Sequence, residues 1–344
     1  MVSDNLSIEQ IQNFEGKYPK QLWYLFLVEM WERFCFYGMR GVLTYFMVDQ
    51  LLLKDEAANL QYGAIQAFVY AFTFIGGIFA DKILGFKKSL LFGGTVMILG
   101  NLLIAFSPST MFYYGIAFSI IGTGFFKPNI SSMVGELYHE NDHRRDAGYG
   151  MFYAGINVGG LLGGALCIYL GKYYSWQWCF LSAAIVMFLG LITFLLTKKH
   201  LGPIGNSPLL NLDSNKRKVR EIAVYIGSLL SIPLIFLMVK NTDYTDYFMY
   251  TIGVLAILYF IIETVNLKNI ALQKKLIAAF LFIFFYFLFN AIYEQSGGSL
   301  SLFAKDNLDD SLLFFHIDPN VVNNSSNTFF VIVLKHKIQV PIHQ

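Results

Sequence analysis

Apolar residues run through this chain in long unbroken blocks, not in alternation. Nine blocks approach the length of about 20 residues that carries a helix across a hydrocarbon core. They are 22–47, 62–80, 90–106, 111–135, 149–170, 178–197, 222–239, 247–265 and 276–293. Continuous runs of this kind exclude a membrane barrel, whose strands alternate apolar and polar positions. Gly, Ser and Thr recur inside most blocks, as they do where helices pack against helices in lipid. The expected fold class is therefore an all-α polytopic membrane protein. The first 20 residues are polar and the first block is long enough to span, so no cleavable signal peptide is expected. Residues 296–327 read as a polar outer loop rich in Asp and Asn. The six apolar residues Phe329–Leu334 are too few to span and are followed by Lys335, His336 and Lys337. They read as the start of a tenth helix, cut off or frame-shifted.

Composition agrees with this pattern. Of 344 residues, 56% are hydrophobic, 17% aromatic and 14% charged, against about 25% charge in soluble chains. The net charge of +2 gives no support for a nucleic-acid partner, but the placement of charge is informative. With the N-terminus inside, inner segments hold 16 Lys and Arg and outer segments hold 4. That bias predicts a cytoplasmic N-terminus. Cys35, Cys167 and Cys179 lie in or beside apolar runs without metal-ligand spacing, and read as small buried hydrophobes.

Arg33, Arg40 and Lys127 fall inside predicted spans, where a charge costs about 2.5–3.5 kcal/mol unless it is paired or faces a polar cavity. With Glu29 at 0° on a helical wheel, Glu32, Arg33, Tyr37 and Arg40 all fall within an arc of about 140°. Such a face cannot meet lipid. Glu29 and Arg33 are spaced i,i+4 and can pair, but two acids and two bases exceed what packing requires. An ion or substrate path is the expected role. Lys127 stands beside Pro128 and Asn129, with Gly122 and Gly124 permitting close helix approach, and is a candidate partner for a carboxylate. Glu294 follows a long apolar run, near the outer end of its helix. No His lies in any span, so proton carriage falls to Glu29, Glu32 or Glu294. His139 and His143 share a charged loop and read as solvated. No nucleophile set, metal cluster or phosphate loop suggests an enzyme.

These residues resemble the proton-dependent oligopeptide transporter family of the major facilitator superfamily. The first block carries Glu29-x-x-Glu32-Arg33-Phe34-x-x-Tyr37-Gly38. Gly77 to Asp81-Lys82, with Gly85, Lys87 and Lys88, is similar to the superfamily's loop between helices two and three. Phe125-Phe126-Lys127-Pro128-Asn129 and Phe152-Tyr153-x-x-Ile156-Asn157-x-Gly159 resemble motifs of helices four and five. Glu294-Gln295 resembles that of helix seven. The pair 222–239 and 247–265 matches the two helices that bacterial members insert between helices six and seven.

The resemblance implies a symporter that imports di- and tripeptides with protons by alternating access. It would sit in a bacterial inner membrane as a monomer, with the proton as coupling ion and no other cofactor. Glu29, Glu32, Arg33 and Glu294 would couple protons, with Glu294 pairing with Arg40 in a gate. Tyr37, Arg40, Tyr70, Lys127 and Asn157 would line the substrate cavity. Asn290 stands where the family often has Trp, four residues before the helix-seven acid. The implied organisation is an N-terminal segment 1–21, a six-helix bundle 22–199 and a linker 200–221. An inserted hairpin 222–275, the start of a second bundle 276–334 and an aberrant tail 335–344 complete it. Two alternatives stand beside this reading: a relative carrying another small anionic or zwitterionic solute, and a truncated, non-transporting fragment.

Overall fold

The computed structural model describes residues 6–308, 311–312, 315–316 and 321. Among these, the helices are α1 (Ile8–Gln12), α2 (Lys20–Asp49), α3 (Asp55–Phe79), α4 (Phe86–Phe106), α5 (Pro108–Glu136), α6 (Arg144–Tyr173), α7 (Trp176–Thr197), α8 (Ser214–Leu230), α9 (Ile232–Lys240), α10 (Thr242–Asn266), α11 (Ile270–Tyr293) and α12 (Ser299–Asn307). One two-residue antiparallel pairing, Ser311–Leu312 with Phe315–His316, departs locally from the all-α reading and adds no layer. Eight helical segments are long and apolar enough to cross a membrane, with α8 and α9 counting as one. Helix α2 fails that measure because four charges interrupt it, yet it is 30 residues long and sits inside the bundle. All nine apolar blocks are thus helical.

Local chemistry sets the helix ends. Pro108 opens α5 at its first turn, where a missing N–H costs nothing. Asp213 accepts from the backbone N–H groups of Asn215 and Lys216 to start α8, and Asn269 does the same for α11. After α3 the chain makes a five-residue π-helical turn, Ala80–Leu84, and reverses at Gly85, whose φ is +75°.

Helices α2 to α7 form the bundle: α2 lies on α6 and α7, α3 on α5, and α4 on α5 and α7. The α3–α5 crossing depends on Gly76 and Gly124, since a Cβ at Gly124 would sit 2.5 Å from the Phe72 carbonyl oxygen. At the opposite end of the bundle, Phe46 stacks on Phe112 at 4.9 Å and meets Trp176 and Phe180 edge-on at 5.5 and 5.4 Å.

The linker expected over 200–221 is shorter than the sequence suggests. Residues 214–221 already belong to α8, whose first two turns are too charged to register as an apolar run. The remaining strap is fastened to the bundle. Lys87 Nζ donates to Gly202 O (2.5 Å) and Asn206 Oδ1 (3.0 Å), and Ser207 Oγ donates to Ile83 O (2.6 Å). The loop expected over 296–327 also differs: a 3-10 turn, Glu294–Gly297, leads into α12. Gly297 and Gly298 obscure that helix in the sequence by marking a break. Most of the expected loop beyond Leu308, the stub of helix eight (329–334) and the tail (335–344) lie outside the described residues.

Candidate functional site

The charges of α2 face inward. Glu29, Glu32 and Arg33 are each at most 1% exposed. Arg33 Nε lies 3.0 Å from Glu29 Oε1, and Arg33 Nη2 contacts Glu32 Oε2. Neither oxygen of Glu32 receives a well-aligned hydrogen bond from the described residues. One guanidinium therefore serves two buried carboxylates, an arrangement short of one positive charge. Tyr37 bridges outward from this triad: its ring lies 6.0 Å from the Arg33 guanidinium and 5.7 Å from that of Arg40.

Two turns along α2, Arg40 Nη2 donates to Glu294 Oε2 at 2.7 Å. The Arg40 side chain is 7% exposed and that of Glu294 is 21% exposed. Two tyrosines of α3 complete the network. Tyr62 OH accepts from Arg40 Nε at 2.8 Å and lies 3.5 Å from Glu294 Oε2, while Tyr70 OH donates to Glu294 Oε1 at 2.9 Å. Thr44 Oγ1 donates to Gly297 O at 3.2 Å. Glu294 caps the end of α11, in keeping with its position after a long apolar run. It stands at the junction between α11 and its continuation, tied to α2 and α3. A cavity of about 360 Å³ opens beside it, lined by Tyr62, Gln66, Tyr70, Asn290 and Gln295 among others.

Lys127 projects from α5 just before Pro128. Around it, Asn129 Nδ2 donates to Phe125 O at 2.7 Å, and Ser132 Oγ donates to Pro128 O at 3.1 Å. Lys127 Nζ lies 5.5 Å from the centre of the Tyr70 ring. Among the described residues no carboxylate forms an ion pair with it, so the direct partner expected from sequence is absent. Asn157, on α6, is half-buried and donates to its own helix at Tyr153 O (2.9 Å).

The structure therefore joins Glu29, Glu32, Arg33, Tyr37, Arg40, Tyr70, Lys127 and Glu294 into one chain of contacts, whereas Asn157 makes no hydrogen bond to it. Tyr62 belongs to the network and escaped the sequence reading. The signal was present as Tyr62, Gln66 and Tyr70 at i, i+4 and i+8, a polar stripe in an apolar helix. Among the described residues no His, Cys, Asp and Glu cluster is arranged to hold a metal, and His139 bonds to Asn13 at 3.1 Å.

Comparison with known proteins adds four findings. The sequence pattern of the POT family matches residues 87–341. The chain is 35% identical to the uncharacterized transporter YclF of Bacillus subtilis (strain 168), across 92% of this chain and 66% of that protein. It is 31% identical to dipeptide and tripeptide permease A of Proteus mirabilis (strain HI4320), across 92% of this chain and 64% of that one. It thus spans just under two thirds of the length of these curated relatives. Among solved structures, a mutant of peptide transporter POT in complex with sulfate superposes with a TM-score of 0.79 at 30% identity, covering 97% of this chain and 71% of the other.

Proposed function

The chain belongs to the POT family, and on that premise we propose that it carries di- and tripeptides across the membrane together with protons, the polypeptide entering and leaving the bilayer many times with its N-terminus on the cytoplasmic side. The observation that carries this reading is the Arg40–Glu294 pair with its two tyrosines. It latches the six-helix bundle to the segment that follows it. A half-buried ion pair resists one-sided loss, because the remaining charge is left uncompensated. Protonating Glu294 neutralises the acceptor, frees Arg40 and releases the latch, which is an electrostatic switch acting on a two-state element. Arg40 and Lys127 then present positive charge to a peptide carboxylate, with Tyr37, Tyr70 and Asn157 on the cavity walls. Glu29, Glu32 and Arg33 supply a second site whose proton balance responds to that carboxylate. Symport of a net positive charge gains about 2.3 kcal/mol per 100 mV of inside-negative potential.

The test is uptake of labelled dipeptide into proteoliposomes, with the 344-residue chain and, in parallel, with the chain continued to the length of its relatives. Glu294→Gln is expected to abolish uptake driven by an inward proton gradient while preserving exchange of labelled for unlabelled peptide. Uptake that still follows the proton gradient in that variant removes Glu294 from coupling. Competition by tripeptides, but not by free amino acids or nitrate, is expected if peptides are the cargo. The opposite ranking assigns the chain to a smaller solute.

A further inference from the structure

Helix α8 is held to the bundle through Glu221 and Tyr225, with Val224 and Ser228 buried beside them. Lys88 Nζ reaches Glu221 at 2.5 Å, and Tyr225 stacks against Phe92 at 4.7 Å. The adjoining face of α8, with Arg220, Ala223, Val224, Gly227 and Ser228, and Ser231 just after it, looks across a gap to Phe72, Ile75, Phe79 and Ile83 of α3 and the following turn. The gap is an open groove of about 500 Å³. It exists because small side chains stand opposite large ones: a Cβ added at Gly227 would meet nothing within 4 Å. At one end α8 touches the 80–84 turn, and at the other α9 closes onto α3 and α5. From Arg220 to Ser231 the groove runs about 16 Å along the helix axis.

The walls are apolar, but the end at the strap is cationic. Arg220, which lines the groove, and Lys82, next in sequence to Ile83 of its wall, are both exposed, and among the described residues neither has a carboxylate partner. Their neighbours are already engaged, with Lys88 on Glu221 and Arg217 3.8 Å from the same carboxylate. Lys216 stands one turn before Arg220 on α8. An apolar channel that faces the bilayer and ends in unpaired basic groups at the membrane interface matches an amphiphile with a long hydrocarbon tail and an anionic head. The geometry points to an anionic phospholipid as the occupant, one acyl chain lying between α3 and α8 and the phosphate held by Arg220 with Lys82. A zwitterionic lipid fills the same channel but gains less at the rim, because its own ammonium opposes the basic end. A free phosphate ion matches the rim but not the channel. The bound lipid makes the inserted hairpin part of the bundle's wall.

The experiment counts lipids retained by the purified 344-residue chain in native mass spectra, after incubation with equimolar phosphatidylglycerol and phosphatidylcholine of identical chains. Wild type is expected to keep one phosphatidylglycerol in preference to phosphatidylcholine. Arg220→Gln is expected to lower phosphatidylglycerol retention about fivefold, the loss of one interfacial cation, and to leave phosphatidylcholine unchanged. Gly227→Leu places a branched side chain in the channel, starting from a Cβ that meets nothing within 4 Å, and is expected to lower retention of both lipids. Lys275→Gln, on α11 and outside the lining of the groove, serves as the control and is expected to change nothing. The assignment is overturned if phosphatidylglycerol retention is unaffected by both groove variants, if Lys275→Gln reduces it as much as Arg220→Gln, or if inorganic phosphate alone displaces the lipid from wild type. None of these readings depends on whether the chain transports peptide.

Discussion

At the scale of single residues, Arg33 sits between two carboxylates with no water-exposed surface to dilute the charge. Removing one member of a buried ion cluster costs about 3–5 kcal/mol, because the others remain charged in a poor solvent. Arg33→Ala is therefore expected to lower the unfolding midpoint in detergent sharply. Adding Glu29→Gln and Glu32→Gln to it should recover most of the loss. A triple variant no more stable than Arg33→Ala would show that packing around the guanidinium, and not charge, is what matters. Tyr62→Phe makes a smaller and different prediction. It removes one hydrogen-bond partner of Arg40 while keeping the ring, and a cost of about 1–3 kcal/mol should weaken the Arg40–Glu294 latch. The expected readout is a proton dependence of uptake shifted relative to wild type with peptide competition unaltered. These residues also show how sequence reading succeeded and failed. Glu29, Arg33, Arg40 and Lys127 were legible because a charge in an apolar run has few explanations. Tyr62 was not, since tyrosine is ordinary in a membrane helix and only its contact with Arg40 reveals its place.

At the scale of elements, the turn between α3 and α4 does more than reverse the chain. Gly85 has φ +75° and ψ 160°, a region that side chains avoid at a cost of about 1–3 kcal/mol. A Cβ there would also lie 2.5 Å from the backbone of Asn206 and Ser207. Gly85→Ala should thus displace the strap as well as strain the turn. Limited proteolysis is expected to cut within 198–213 faster in this variant. Gly253→Ala, where a Cβ meets nothing, should leave the cleavage rate unchanged. The same strap explains why element boundaries were harder to read than element types. Hydropathy locates where a helix is apolar, not where it begins. The start of α8 is written in Asp213 and its capping bonds, followed by basic turns that look like loop. The start of α12 is hidden behind Gly297 and Gly298, which signal a break that the chain uses as a bend.

At the scale of the whole molecule, two kinds of exposed surface must be told apart. Tyr70 is 48% exposed, and so are many side chains of α11, including Phe282 at 77%. Exposure alone ranks Phe282 as the more reachable. The chemistry ranks them the other way. Tyr70 donates to Glu294 and lies beneath Lys127, beside the cavity that Gln66, Asn290, Glu294 and Gln295 help to line. Phe282 lies in a helix with no buried residue and an apolar surface on every side, a surface suited to lipid or to other helices. The three native thiols are each at most 1% exposed, so the background is quiet. In a membrane, Tyr70→Cys should react with a water-soluble maleimide, and Phe282→Cys should react only with a lipid-soluble one. If the water-soluble reagent labels position 282 faster than 70, the face that carries Arg40, Tyr70 and Lys127 is not the wet one. The transport reading would then lose its chamber.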